Sequence, residues 1–171
     1  YNRNTNFELL KIAFRVVFML EKGLFLLRKA IGHNAEFHHD QWEAIESVLS
    51  GGKTLLVQKT GWGKSIVYFI ATKLLREKGK GITIIISPLL SLMRNQIGMA
   101  QKAGLVAMTI NSTNKEEWDR VKDEIVNNKC DILFISPERL RNENFNKEIL
   151  GMLTSGVGRG IGMLVVDEAH C

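Results

Sequence analysis

The sequence has only two cysteines, Cys130 and Cys171, and neither lies in a CxxC or other metal-ligand spacing. Cysteine-based zinc sites are therefore excluded, and the pair reads as two free thiols in a reducing cytosol. Long hydrophobic runs are also lacking. The apolar stretch 6–30 is interrupted by Lys11, Arg15, Glu21, Lys22, Arg28 and Lys29, so that no uncharged run in it exceeds five residues. A bilayer span needs roughly 20 apolar residues, so no membrane segment is expected. No small-residue cleavage site follows a hydrophobic core, and no secretory leader is expected. The stretch reads instead as one or two amphipathic helices, with Gly23 as a break between them. There is no internal repeat. The glycine-rich loop 155–162 does not match G-x-G-x-x-G, because Ile161 and Met163 stand in the way. It also precedes a strand, where a dinucleotide loop must follow one, and it reads as a flexible connection. What is present is a globular composition, 45% hydrophobic and 24% charged, in a chain of 171 residues. A net charge of +5 admits a polyanionic partner such as nucleic acid without requiring one.

From residue 36 onward, strand and helix signals alternate. The apolar run 54–58 precedes a glycine-rich turn, and residues 64–79 carry apolar side chains at 66, 67, 70, 71, 74 and 75, a helical spacing. Residues 82–87 are β-branched and apolar, as in a strand buried on both faces. A helix is expected over 89–102, a strand over 105–110, and a helix over 114–128 with Trp118, Val121 and Ile125 on one side. A strand over 131–136, short helices near 138–141 and 144–154, and a last strand over 162–166 follow. Five β-runs separated by helices predict an α/β fold, a mostly parallel sheet with helices on both faces.

The unusual polar residues fall where these runs end. Lys59–Ser65 follows the first, Ser87 and Pro88 the second, and Asn111–Thr113 the third. Ser136–Arg139 follows the fourth, and Asp167 and Glu168 the last. Ligands bind at that edge of open parallel sheets. The loop "KTGWGKS", residues 59–65, lacks the first glycine of the pattern G-x-x-x-x-G-K-[ST], whose position is Gln58. Gly61 and Gly63 still allow backbone amides to turn toward an anion just before a helix N-terminus. Lys64 can reach β and γ phosphates as a point charge, and Ser65 can ligate Mg²⁺. The alternative is a structural turn between strand and helix. Trp62 either covers the phosphates or packs on the following helix. Asp167 follows an apolar strand, where a carboxylate can hold the same Mg²⁺, and Glu168 can orient and deprotonate an attacking water. The alternative there is a solvated acidic turn.

Taken together, these blocks resemble superfamily 2 helicases, and within them the RecQ-type DNA helicases. "FHHDQWEAI" (37–45) is similar to the family's upstream adenine-reading motif, with His38 in place of Arg, Asp40 in place of Gly and Asn34 where an aromatic is usual. "KTGWGKS" matches the helicase form of the Walker A loop, which does not require the first glycine. "SPLLSLMRNQ" (87–96) is similar to motif Ia, "NST" (111–113) and "ISPERL" (135–140) to the blocks that follow, and "DEAHC" (167–171) to the DEAH-box motif II. The resemblance implies a three-layer RecA-like P-loop NTPase domain with a mostly parallel, incomplete sheet. Residues 36–171 would form part of that first domain, and residues 1–35 an N-terminal helical segment. It implies ATP and Mg²⁺ as cofactors, and 3′→5′ unwinding of DNA, single-stranded or duplex with a tail, in the cytoplasm or on a bacterial nucleoid. By motif match, Gln41 reads adenine, and Thr60, Gly61, Trp62, Gly63, Lys64 and Ser65 hold phosphates and metal. Asp167 holds Mg²⁺, Glu168 is the base, and His170 couples the nucleotide site to DNA or to the next motif. Ser87, Arg94, Asn111, Ser112 and Arg139 face the backbone of a single strand, with a structural ion pair as the alternative for Arg139. The resemblance covers roughly residues 30–171 and stops directly after motif II, so the motif III region and second lobe of such enzymes lie outside it. ATP binding is then expected of this chain, and efficient hydrolysis or unwinding is not. The alternatives are a DEAH-type RNA helicase or a non-catalytic nucleotide-binding module. Motif Ia favours DNA over RNA, and the intact Lys64, Ser65, Asp167 and Glu168 argue against the non-catalytic module.

Overall fold

A computed structural model describes residues 3–88, 90–110 and 115–169. The chain opens with a long helix, α1 (Arg3–Ile31), followed by α2 (Gln41–Leu49) and α3 (Lys64–Glu77). Then strand and helix alternate: β1 (Ile82–Ile86), α4 (Leu90–Lys102), β2 (Ala107–Thr109), α5 (Lys115–Val126) and β3 (Ile132–Ile135). A 3₁₀ turn (Pro137–Arg141) leads into a composite helix made of α6 (Glu143–Phe145), a π-helical stretch (Asn146–Leu150) and α7 (Gly151–Thr154). The last strand is β4 (Ile161–Val166).

The four strands form one parallel sheet in the order β2-β3-β1-β4. In register, Ile84 faces Leu133 on one side and Leu164 on the other. Alternation along the strands sends neighbouring residues to opposite faces. On one face Ile84, Leu133 and Ile135 pack with Trp118, Val121 and Ile125 of α5 and with Phe145, Ile149 and Leu153 of the composite helix. On the other, Ile85, Ile132 and Phe134 pack with Tyr68 and Phe69 of α3 and Met93 and Ala100 of α4. The result is the three-layer α/β architecture expected, with an incomplete sheet.

Three local expectations are corrected. Residues 54–58 carry no strand: Leu55 is 87% and Val57 80% exposed, and the run pairs with nothing in the sheet. A strand exists only where a neighbour takes up its backbone groups. The outer edge of β4 is unpaired among the described residues, and its Leu164 and Val166 are exposed on the face where Ile84 is buried. Gly23 does not break the N-terminal helix. α1 runs through it, because a Cβ there would stand 2.4 Å from Trp42 Cζ3, and only glycine lets α2 come so close. The second half of α1 thereby joins the core, with Leu26 and Leu27 packed against Ile45 of α2 and Ile70 of α3. Phe7, Leu10, Phe14 and Phe18 of its first half stay exposed. The loop 155–162 is a tight connection, not a slack one: Gly156, Gly158 and Gly160 all have positive φ, and a Cβ on Gly158 would lie 2.3 Å from the Ile125 carbonyl.

Among the described residues, no helix is long and apolar enough to cross a membrane.

Candidate nucleotide site

The C-terminal ends of β1, β3 and β4 point to one edge of the sheet, as parallel pairing requires. At that edge lies a cleft of about 360 Å³. Thr60, Gly61, Trp62 and Gly63 line it from the loop before α3, Lys64 and Ser65 from the first turn of α3, His38 from the turn before α2 and Gln41 from the start of α2. Leu92, Gln96 and Met99 line it from α4, and Asp167 and Glu168 from the end of β4. Residues distant in sequence are thus brought into one site of the size that binds small molecules.

The loop takes its shape from its glycines. Gly61 and Gly63 have φ of 83° and 96°, and Gly63 caps α3. A side chain at Gly63 would also meet Gln41, whose Nε2 would lie 2.8 Å from the added Cβ. Gln41 is buried, and both ends of its amide are engaged. Nε2 donates to the Trp62 carbonyl at 3.1 Å, and Oε1 accepts from the His38 backbone N–H at 2.9 Å. One side chain therefore ties the loop at residues 60–63 to the turn that lines the cleft's other wall. Trp62 is half-buried, packs against the α1–α2–α3 cluster and also lines the cleft. The Lys64 ammonium crosses its own loop and donates to the carbonyls of Gln58 at 2.9 Å and Lys59 at 3.4 Å.

At the other wall, the Asp167 N–H continues the sheet ladder by donating to the Ile86 carbonyl, which fixes the carboxylate at the sheet edge. Its Oδ1 accepts from the Glu168 N–H at 3.1 Å. Its Oδ2 accepts from Gln96 Nε2 at 2.9 Å and from the Tyr68 hydroxyl at 3.3 Å. The Tyr68 hydroxyl lies 3.0 Å from Ser65 Oγ as well, so a single phenol bridges the loop serine and the strand-end carboxylate. Burial first, and then the charge of Asp167, push the Tyr68 phenol well above its usual range and keep it protonated. Glu168 has a positive φ of 52°, an uncommon conformation for a residue with a side chain and one often found at functional sites.

Tyr68 and Gln96 were not singled out by sequence reasoning. The signal was present: Tyr68 follows Ser65 by three residues on a helix, which puts both on one face. Of the residues expected to face a nucleic-acid backbone, Arg94 is exposed on α4, and Arg139 is half-buried in the 3₁₀ turn. Ser87 is fully buried, with a hydroxyl that has no hydrogen-bond partner among the described residues. Asn111, Ser112 and His170 lie outside the described residues.

Comparison with known proteins agrees with this geometry. Residues 38–171 match the DEAD/DEAH box helicase family. The chain belongs to that family. It is 36% identical over 149 residues to the "ATP-dependent DNA helicase Q-like 5" of Arabidopsis thaliana, covering 85% of this chain and 15% of that protein. It is 34% identical over 156 residues to the "ATP-dependent DNA helicase RecQ" of Bacillus subtilis, covering 90% of this chain and 24% of that protein. With the "ATP-dependent helicase wrn-1" of Caenorhabditis elegans it shares 30% identity over 152 residues, covering 88% and 13%. Its similarity is to the RecQ type, and it spans a quarter or less of the length of these relatives.

Proposed function

We propose that the chain is the ATP-binding part of a RecQ-type, ATP-dependent DNA helicase, formed by residues 36–171 and buttressed by the helical segment 1–35. The observation that carries this reading is the convergence of Lys64, Ser65, Asp167 and Glu168 on one cleft at the C-terminal edge of a parallel sheet. The loop amides and the α3 N-terminus favour an anion there. Lys64 exchanges the neutral carbonyls of Gln58 and Lys59 for phosphate oxygens, a stronger, charge-assisted pairing. The donor set of one hydroxyl and one carboxylate, bridged by Tyr68, suits Mg²⁺, which takes one or two protein groups and completes its shell with phosphates and waters. Ser65 and Asp167 would hold the ion, which when bound neutralises charge on the β and γ phosphates. Glu168, beside Asp167 in the cleft, would orient the attacking water and take its proton. Gln41 would read adenine only by releasing the Trp62 carbonyl or the His38 N–H. Base recognition and loop position are then linked through one amide.

A DNA substrate, single-stranded or duplex with a tail, would lie over the exposed face that carries Arg94. Such a protein would work in the cytoplasm, associated with the nucleoid if its source is a bacterium. The test is fluorescence anisotropy with labelled single-stranded DNA and RNA of one sequence, with and without ATP and Mg²⁺. Preference for DNA that weakens in Arg94→Ala is expected, and equal or tighter binding of RNA would count against the DNA assignment.

A further inference from the structure

The nucleotide reading uses Ser65 and Asp167 but leaves unexplained why two further polar side chains are buried between them. Tyr68 is 7% and Gln96 3% exposed. Burying such groups is costly unless their hydrogen bonds are made. We infer that Tyr68 and Gln96 are positioning residues for the divalent-cation site, a two-residue clamp that sets the direction in which Ser65 Oγ and Asp167 present their lone pairs.

The proton count supports this. The Tyr68 hydroxyl has one proton and two lone pairs. Its proton is shared between two acceptors, Ser65 Oγ at 3.0 Å and the carboxylate of Asp167 at 3.3 Å. One lone pair accepts from Gln96 Nε2 at 2.8 Å. Accepting from Tyr68 occupies one lone pair of Ser65 Oγ and fixes the hydroxyl oxygen in place, with its second lone pair left for a cation. Gln96 spends both N–H donors, one on Tyr68 and one on Asp167 Oδ2 at 2.9 Å. Asp167 is thus held from one side, and its other lone pairs remain available to a metal.

A second observation is independent of that count. Gln96 Oε1 is buried and has no hydrogen-bond partner among the described residues. An orphaned buried acceptor costs about 1–3 kcal/mol, and an apolar side chain of the same shape would avoid that cost. A glutamine chosen for stability alone would not be left half-satisfied. The two donors it supplies to the site account for its presence.

This inference rests on the nucleotide reading above, so the experiment separates the two. The probe is a fluorescent ADP titrated into the 171-residue chain in excess EDTA and again in Mg²⁺, with Mn²⁺ binding followed by electron paramagnetic resonance and thermal melting run in parallel. The variants are Tyr68→Phe, which removes one oxygen, and Gln96→Met, which keeps the unbranched shape. Expected for both is an EDTA affinity within about twofold of the starting chain and a loss of about tenfold or more in metal affinity, the scale of groups that orient metal ligands. In Gln96→Met the orphaned oxygen leaves with the amide, which offsets part of the cost of the two hydrogen bonds lost from Tyr68 and Asp167, so the metal affinity and not the melting temperature is the deciding readout. A merely structural role predicts the reverse pattern, a lower melting temperature with metal affinity unchanged, and would overturn the proposal. A metal-dependent gain that survives both substitutions overturns the positioning role alone. If the starting chain binds ADP no better in Mg²⁺ than in EDTA, the metal reading of Ser65 and Asp167 fails, and this proposal fails with it.

Discussion

The Arg76–Asp131 pair gives the most closely worked prediction for the scaffold beneath the site. Arg76 lies in the last turn of the helix that begins at Lys64, so whatever fixes its far end fixes that helix against the sheet. Its Nε donates to Asp131 Oδ1 at 2.9 Å, Nη2 to the Asn128 carbonyl at 2.8 Å and Nη1 to the Lys80 carbonyl at 3.1 Å. The two side chains are only 8% and 17% exposed. Asp131 Oδ2 accepts from the Val106 N–H, so the pair joins α3, the start of β3 and the approach to β2. Breaking a buried pair by removing one partner costs about 3–5 kcal/mol, because a charge is stranded. Asp131 keeps one N–H and some access to water, which lowers the figure for Arg76→Met to about 2–4 kcal/mol. Urea unfolding followed by tryptophan fluorescence measures it. With an m-value of about 2 kcal/mol/M the midpoint falls by about 1–2 M. Asp131→Asn should be milder, since it strands no carboxylate, and the double variant should fall well short of the sum. A shift for Arg76→Met below about 0.5 kcal/mol, the range of a solvent-exposed pair, would refute the reasoning.

Gly23→Ala pits helix propensity against packing. Alanine gains about 0.8–1 kcal/mol in a helix interior, but its Cβ would stand 2.4 Å from Trp42 Cζ3, and overpacking costs about 1–3 kcal/mol. The melting temperature should fall, and a rise would contradict the close approach. Asp40 has a φ of 67°, so Asp40→Gly should leave stability unchanged or raise it, while Asp40→Val should lower it; equal stability of the three would exclude strain there. The same Asp40→Gly should lower the pKa of His39, which the Asp40 carboxylate raises by accepting a hydrogen bond from it, and an NMR titration reads the change. Burial pushes the Cys130 thiol up from 9.0 to about 12. Its folded value lies above its unfolded one, so the stability it contributes is whole below pH ~9 and is lost as pH rises from about 9 to about 12. Cys130→Ala should flatten that stretch of a stability–pH curve, and an unchanged slope would show that another group is responsible.

Local pattern carried the reading of the sheet's centre and its helices. The apolar spacing of residues 64–79 became α3, and the β-branched run 82–87 became β1. What the sequence concealed was non-local. The run 54–58 has a strand's composition, but pairing depends on a neighbour that composition does not reveal. The glycine at 23 looks like punctuation until Trp42 is known to lie against it. The site was legible where its chemistry sits in short motifs, as at Lys64, Ser65, Asp167 and Glu168. Tyr68 and Gln96 were not, because their meaning depends on a carboxylate 99 and 71 residues away. Gln41 was read for its chemistry and not for its contacts, which tie the loop to the turn before α2.

The central claim is that this cleft binds a nucleotide through the loop at residues 60–65 and a metal through Asp167. Titration of ADP into the starting chain, Lys64→Ala and Asp167→Asn, each in Mg²⁺ and in EDTA, tests it most directly. A charge-assisted contact contributes about 1.5–3 kcal/mol, so Lys64→Ala should weaken binding by about 10-fold to 150-fold in both conditions. Asp167→Asn should abolish the gain from Mg²⁺ and leave EDTA binding nearly unchanged. Binding that is indifferent to Lys64→Ala, or a Mg²⁺ gain that persists in Asp167→Asn, would contradict the account.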